Sequence, residues 1–333
     1  MSLEFRALVV DKTADRFSVE IKRLGLDDLP AGGVLIQVAY SSVNFKDGLA
    51  CSPTGNIVRK YPFVPGIDLS GIVVESSDPR FKPGDHVIAT SYDIGVSHFG
   101  GFSEYARVKA DWVLPLPEGL TLRESMILGT AGFTAGLALQ LLERNGLDPS
   151  RGRVLVTGAT GGVGSLAVNM LAGAGYEVTA STGKASEHAF LRDLGAAEVL
   201  SREDVSAESS RPLEKERWAA VIDSVGGATL SYAIRATRSG GAVAACGLTG
   251  GTALSTTVFP FILRGVSLLG VDSEKCPMPL RADTWGRLST DLKPKALDRI
   301  GFEIELEDIP RITSTILNGG IRGRAVVRLS GQN

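Results

Sequence analysis

The run with the clearest chemical content is Gly158-Ala-Thr-Gly-Gly-Val-Gly164, which follows the apolar Arg153-Val-Leu-Val-Thr157 and precedes a helix-like segment, Ser165 to Ala172. A strand that ends in glycines and resumes as a helix can hold a phosphate. With no Cβ in the way the backbone can be approached closely, and the unpaired N–H groups and dipole of the helix N-terminus favour negative charge. The spacing is G-x-x-G-G-x-G rather than the common G-x-G-x-x-G, so the context, more than the glycines, points to the pyrophosphate of a dinucleotide. An ordinary tight turn between strand and helix is the competing reading.

The following strand, Glu177-Val-Thr-Ala-Ser181, indicates which dinucleotide. A site for NAD usually ends this strand with Asp or Glu, which bonds the ribose 2′-hydroxyl. Here the chain continues Ser181-Thr-Gly-Lys184, and Arg202 lies just beyond a third strand, Glu198-Val-Leu200. Hydroxyls and cations in place of a carboxylate suit a 2′-phosphate, so NADPH is the expected cofactor. Taken singly, Lys184 and Arg202 also read as ordinary surface charges; the missing acid is the firmer sign.

These turns require a sheet to carry them. From about Thr121 the short apolar strands Val154–Thr157, Val178–Ser181, Ala219–Asp223, Ala242–Cys246 and Ser267–Val271 alternate with helical segments. That alternation predicts βαβ units and a parallel sheet. Up to about Pro117 the pattern is instead short β-rich runs between Gly and Pro turns, such as Gly33–Ala39, Gly71–Glu75 and Asp85–Thr90, which predicts a compact, partly open barrel. After Asp272 a helix candidate, Phe302–Leu306, the amphipathic Ile309–Leu317 and a final strand, Ala325–Leu329, are expected to return to the barrel. The polar stretch Arg202–Lys215 is expected to be a surface excursion.

The 333 residues, 44% of them hydrophobic, suffice for two domains. The 35 basic and 37 acidic residues give a formal charge of −2 without long runs of either sign, so neither nucleic acid nor a membrane surface is an expected partner. Cys51, Cys246 and Cys276 have no C-x-x-C spacing and predict reduced thiols. Met1-Ser-Leu-Glu-Phe-Arg6 has no basic segment leading into an apolar one, and no apolar run approaches 18 residues; a cytoplasmic protein is expected.

Several longer strings carry a resemblance: Ser42-Val-Asn-Phe-Lys-Asp-Gly48, Pro65-Gly-Ile-Asp68, Asp78-Pro-Arg-Phe81, Gly129-Thr-Ala-Gly-Phe-Thr134, Arg211-Pro-Leu-Glu-Lys215, Pro260-Phe-Ile-Leu-Arg264 and Gly323-Arg-Ala-Val-Val327. With the glycine turn they resemble the medium-chain dehydrogenase/reductase superfamily, in its branch of acryloyl-CoA reductases and YhdH/YhfP-type quinone oxidoreductases. The resemblance implies an α/β chain with a GroES-like catalytic domain, residues 1–123 and 274–333, and a Rossmann doubly wound cofactor domain, residues 124–273. It also implies a homodimer paired through the edge strand Ser267–Val271.

Zinc-dependent relatives carry a Cys before an Asp near Asn44–Asp47, a Gly-His-Glu where this chain has Gly66-Ile67-Asp68, and a four-cysteine lobe. None is present, and His86, His98 and His188 are scattered, so no metal is expected. Without a Lewis acid the acceptor must already be polarised: an enoyl thioester such as acryloyl-CoA, or a quinone, with the resulting charge placed on an oxygen that protein donors stabilise. A nucleotide-binding protein without turnover is the third reading.

By the same resemblance Asn44, Lys46 and Asp47 are the candidate catalytic residues, and Phe45 lies against the nicotinamide where relatives often have Tyr. A phenyl ring has no O–H to donate, so water is the simplest source of the proton, with Lys46 or Asp47 assisting; Lys46 could equally pair with Asp47. The implied cofactor contacts are Thr160, Gly161, Gly162 and Val163 at the pyrophosphate, and Thr182, Gly183, Lys184 and Arg202 at the 2′-phosphate. Leu248, Ile262, Ser273 and Asn318 are implied near the nicotinamide or the cleft. Thr130 and Thr134 read as helix caps or cleft lining, and the loop Asp93–Gly101 as a substrate rim or a mobile surface loop.

Overall fold

The computed structural model describes residues 3–207, 209 and 211–329. They divide into two compact units: one runs to Thr130 and takes in Glu274–Ala282 and the chain from Asp298 on, and the other comprises Ala131–Ser273 and Asp283–Leu297.

The first unit is built mainly from antiparallel strands. β1 (Glu4–Lys12) and β2 (Phe17–Gly25) form a ribbon. β3 (Val34–Ser42), β4 (Asp68–Ser76), β5 (His86–Thr90), β6 (Tyr105–Val108) and β7 (Val113–Pro115) form the main sheet, in which β3 pairs with both β4 and β6. Every residue of β3 is buried or half-buried, which explains its nearly unbroken apolar run. A short helix, α1 (Phe45–Ala50), follows β3, and α2 (Leu122–Arg144) follows β7.

The second unit is a six-stranded parallel sheet. β8 (Val154–Val156) leads into α3 (Gly162–Gly173), β9 (Val178–Thr182), α4 (His188–Asp193), β10 (Glu198–Ser201), β11 (Trp218–Asp223), α5 (Gly227–Ala236), β12 (Thr237–Ala245), α6 (Phe259–Arg264) and β13 (Ser267–Gly270). The strand order is β10-β9-β8-β11-β12-β13, so the chain starts mid-sheet, runs to one edge and returns. The glycine turn leaves β8 at that reversal, where open parallel sheets hold their ligands. Gly164 lets α3 press onto the turn, since a Cβ there would sit 2.5 Å from the Gly158 carbonyl oxygen.

After α7 (Met278–Leu288) and α8 (Leu297–Ile300), β14 (Gly301–Glu305), α9 (Ile309–Leu317) and β15 (Arg324–Arg328) complete the first unit, with β15 antiparallel to β3. Asp283–Leu297 groups with the second unit: Trp285 stacks on Phe133, Thr284 and Asp283 bond Gln140, and Ala296 N–H donates to Asn169. β12 starts at Thr237, earlier than its apolar run, because Ser239-Gly-Gly241 reads as a turn but stays in the strand.

Three differences from the sequence reading matter. α2 is long and apolar enough to cross a membrane, though glycines, threonines and Gln140 interrupt its apolar run; 89% of its most apolar stretch is buried. The loop Asp93–Gly101 is tied down: Ile94 is fully buried, Gly100 and Gly101 donate to Val64 and Gly66 carbonyls, and His98 bonds the Arg107 carbonyl and packs edge-on against Trp112. Within Arg202–Lys215, residues 208 and 210 lie outside the description, while Val205 is fully buried in the core of the second unit.

Candidate active site

In the first unit, the residues around α1 form a buried polar cluster. Asp68, fully buried at the start of β4, accepts at one carboxylate oxygen from the Ser42 hydroxyl (2.7 Å), the Asn44 amide Nδ2 (2.7 Å) and the Thr130 N–H (2.9 Å), and at the other from the Thr130 hydroxyl (2.6 Å). Arg324, 3% exposed on β15, donates to Ser42 Oγ, Asn44 Oδ1 and the carbonyls of Val43 and Ile127, with Nη2 3.6 Å from Asp68. Asn44 is therefore held at both ends of its carboxamide. A buried charge pair of this kind persists only when its remaining hydrogen bonds are met, as they are here.

α2 makes room for this cluster by breaking at Gly129. That residue has φ +50°, and a Cβ on it would fall 2.5 to 2.7 Å from Asp68 Oδ2, Ser42 Oγ and Arg324 Nη2. The break frees the Thr130 N–H from the helix, and it donates to Asp68; the Thr130 side chain is half-buried.

Asp47, also fully buried, accepts from the N–H groups of Asn44 (2.7 Å) and Ile67 (2.9 Å). Burial first, and the Asp68 charge second, push its carboxyl up to about 7. Lys46 does not pair with Asp47: its ammonium pairs with Glu274, and both side chains are about two-fifths exposed. Phe45 is half-buried and Asn318 is exposed at the end of α9, bonded to the Ser314 carbonyl.

In the second unit the glycine turn is unencumbered. Gly161 precedes α3 with no side-chain cap on the helix, and a Cβ there would meet only the Gly158 carbonyl at 3.4 Å; Thr160 Oγ1 lies 3.3 Å from Thr182 Oγ1. Beyond β9 the Arg202 guanidinium lies over Gly183, where a Cβ would sit 2.7 Å from Nη2. Burial, aided by Arg202 and opposed by Glu187, holds the Lys184 ammonium below its ordinary pKa. A guanidinium over a bare glycine, with the Lys184 ammonium near enough to feel its charge, fits a phosphate dianion. Leu248 and Ile262 are 56% and 69% exposed, and Ser273 is half-buried.

Sequence reasoning named Asn44, Lys46 and Asp47, and Thr130 as a cap or cleft residue, but passed over Ser42, Asp68, Glu274 and Arg324. A carboxylate opening an apolar strand and an arginine inside Gly323-Arg-Ala-Val-Val327 were the available signals. Among the described residues, no three His, Cys, Asp or Glu side chains are gathered so as to hold a metal.

Residues 30–118 match the alcohol dehydrogenase GroES-like domain family and residues 162–283 the zinc-binding dehydrogenase family. YhfP of Bacillus subtilis, provisionally named a quinone oxidoreductase, is 54% identical over 99% of this chain and all of that protein; its crystal structure with NAD bound superposes with a TM-score of 0.96 over 98% of this chain. The acrylyl-CoA reductase AcuI of Ruegeria pomeroyi is 49% identical over 97% of this chain and 98% of that protein. The YhdH oxidoreductase of Salmonella enterica, crystallised with NADP, is 47% identical with a TM-score of 0.95 over 98% of this chain and all of that one. The chain is an oxidoreductase of the medium-chain dehydrogenase/reductase superfamily, in the branch of YhfP/AcuI-type quinone oxidoreductases and acrylyl-CoA reductases.

Proposed function

We propose that this protein is an NADPH-dependent, zinc-independent reductase of an activated alkene, with acryloyl-CoA, giving propanoyl-CoA, or a similar short enoyl thioester as substrate. The first unit is the catalytic domain and the second the cofactor domain. The observation that carries the reading is whole-length likeness to an acrylyl-CoA reductase, combined with the Arg202–Gly183–Lys184 cradle. Reduced nicotinamide supplies the hydride.

The residues of this chain bind and orient. Backbone N–H groups at Thr160–Val163 take the pyrophosphate, while Thr182, Lys184 and Arg202 take the 2′-phosphate. Asp68 accepts from four hydrogen-bond donors, three at one carboxylate oxygen and one at the other, and so anchors Ser42, Asn44 and Thr130. Asp47, sealed and doubly bonded, holds α1 rather than exchanging protons with substrate. Lys46 is the exposed cation of that helix, suited to stabilise an enolate oxygen, and Asn44 fixes the turn that carries Phe45 and Lys46.

A quinone acceptor is the second reading, favoured by the likeness to YhfP. Purified protein with NADPH, offered acryloyl-CoA, crotonoyl-CoA and benzoquinone in parallel, decides between them by loss of NADPH absorbance. Turnover confined to benzoquinone would replace the thioester, and NADPH binding without turnover would make this a binding protein.

We also infer a homodimer formed through β13, an edge strand that among the described residues pairs with β12 alone, beside the exposed Val258, Phe259, Ile262, Leu263 and Leu268. An open apolar edge of this kind is normally covered. Leu268→Glu is expected to shift the sedimentation coefficient to that of a monomer. A cytoplasmic location is proposed on the three free thiols.

A further inference from the structure

Two consecutive non-glycine residues, Ser91 (φ +65°) and Tyr92 (φ +52°), adopt the left-handed region directly after β5. That conformation is costly for residues with a Cβ and survives only where the surroundings over-determine it. Here they do. Ser91 N–H donates to the Ile67 carbonyl (2.8 Å), and its hydroxyl lies 2.9 Å from Thr130 Oγ1. Because the Thr130 hydroxyl gives its proton to Asp68, Ser91 is the donor in that pair. The turn thus feeds the network that holds Asn44.

Tyr92 faces the other way. Its N–H donates to the Glu274 carbonyl (3.2 Å), and its hydroxyl donates to the Cys276 carbonyl (3.0 Å) while accepting from Arg281 Nε (3.2 Å). Arg281, 1% exposed, lies 4.5 Å from the centre of the Tyr92 ring and also donates to the Glu274 carbonyl and to Thr90. The segment that begins at Glu274 is therefore clamped by Tyr92 and Arg281, and the Glu274 carboxylate is the partner of Lys46.

We propose that the Ser91–Tyr92 turn is a positioning element of the candidate site, in which Tyr92 acts through Glu274 to place the Lys46 ammonium, while Ser91 acts through Thr130 and Asp68 to place Asn44. Neither Tyr92 nor Glu274 is a catalytic residue in this scheme; each fixes a group that is. The proposal rests on reading α1 as the catalytic helix.

The test has one readout that needs no turnover. Acetylation of Lys46 by acetic anhydride, followed by peptide mass spectrometry, is expected to be faster in Tyr92→Phe and in Glu274→Gln than in wild type, because both loosen the ion pair. The second readout is turnover: Tyr92→Phe lowers kcat about ten-fold with the NADPH KM unchanged. In a Lys46→Met background the same substitution has little further effect, because the link it breaks is already gone. An unchanged Lys46 acetylation rate in Tyr92→Phe overturns the proposal, as do additive effects of the two substitutions on kcat. Faster acetylation in a protein that reduces no acceptor would sink the reductase reading and leave the positioning link standing. Glu274→Gln, at a partly exposed side chain, keeps the test available if Tyr92→Phe does not fold.

Discussion

The polar cluster of the first unit and the glycine turn of the second are both built to manage charge, and they do it in opposite ways. Around Asp68 and Arg324 every donor and acceptor described has a protein partner, and both charged side chains are buried. At the glycine turn the helix N-terminus has no side-chain cap, and Arg202 forms no ion pair among the described residues. A saturated site holds its shape without a ligand; an unsaturated one invites it. The first should be sensitive in stability, the second in affinity.

The comparison breaks most visibly at Arg324. Replacing it with Met leaves Asp68 buried beside Asp47 without a cation, and the loss of stability by urea denaturation is expected to be about 3–5 kcal/mol. A loss under 1 kcal/mol would mean that water reaches the cluster. Asp47 supplies the next effect. Its carboxyl titrates near 7 when folded, against an ordinary value of 3.8, so the folded state binds the proton more tightly. Stability owed to this proton is complete below about pH 4 and is lost as pH rises through 7, on the order of 4 kcal/mol in all. Relative to Asp47→Asn, wild-type stability should therefore decline from pH 4 to 7 and level off above it; a flat difference would refute the buried, charge-opposed setting.

Smallest in stability, and largest in selectivity, is Arg202→Ala. Losing one charged contact to a 2′-phosphate is expected to weaken NADPH binding about 10- to 100-fold, a change of roughly 1.5–3 kcal/mol. NADH binding and the melting temperature should hold steady, because Arg202 is exposed. Equal loss for both cofactors in a fluorescence titration would take the 2′-phosphate away from this cradle. That distinction has weight here, since the solved relatives include one with NAD bound and one with NADP.

How much of this was legible beforehand follows from how local each feature is. The glycine turn, the strand after it and the cations at Lys184 and Arg202 could be read from the chain, because a βα turn and its neighbours are set by residues close in sequence. Asn44, at the head of α1, and the α1 residues Lys46 and Asp47 were legible through family resemblance, but their partners were not. Lys46 meets Glu274 and Asn44 meets Arg324, 228 and 280 positions away. No local pattern encodes such pairings.

Sequence alone therefore determined the two kinds of layer, the glycine turn and the absence of zinc-ligand strings, all of which depend on short-range composition and periodicity. Tertiary structure decided what the polar residues of the first unit do. It broke α2 at Gly129, so that Thr130 could turn its N–H to Asp68, and it folded the strands so that Arg324 on β15 reached the Asn44 carboxamide at the start of α1. The physical reason is that a buried charge must be satisfied from all sides at once, and the donors that satisfy it are brought together only by the fold.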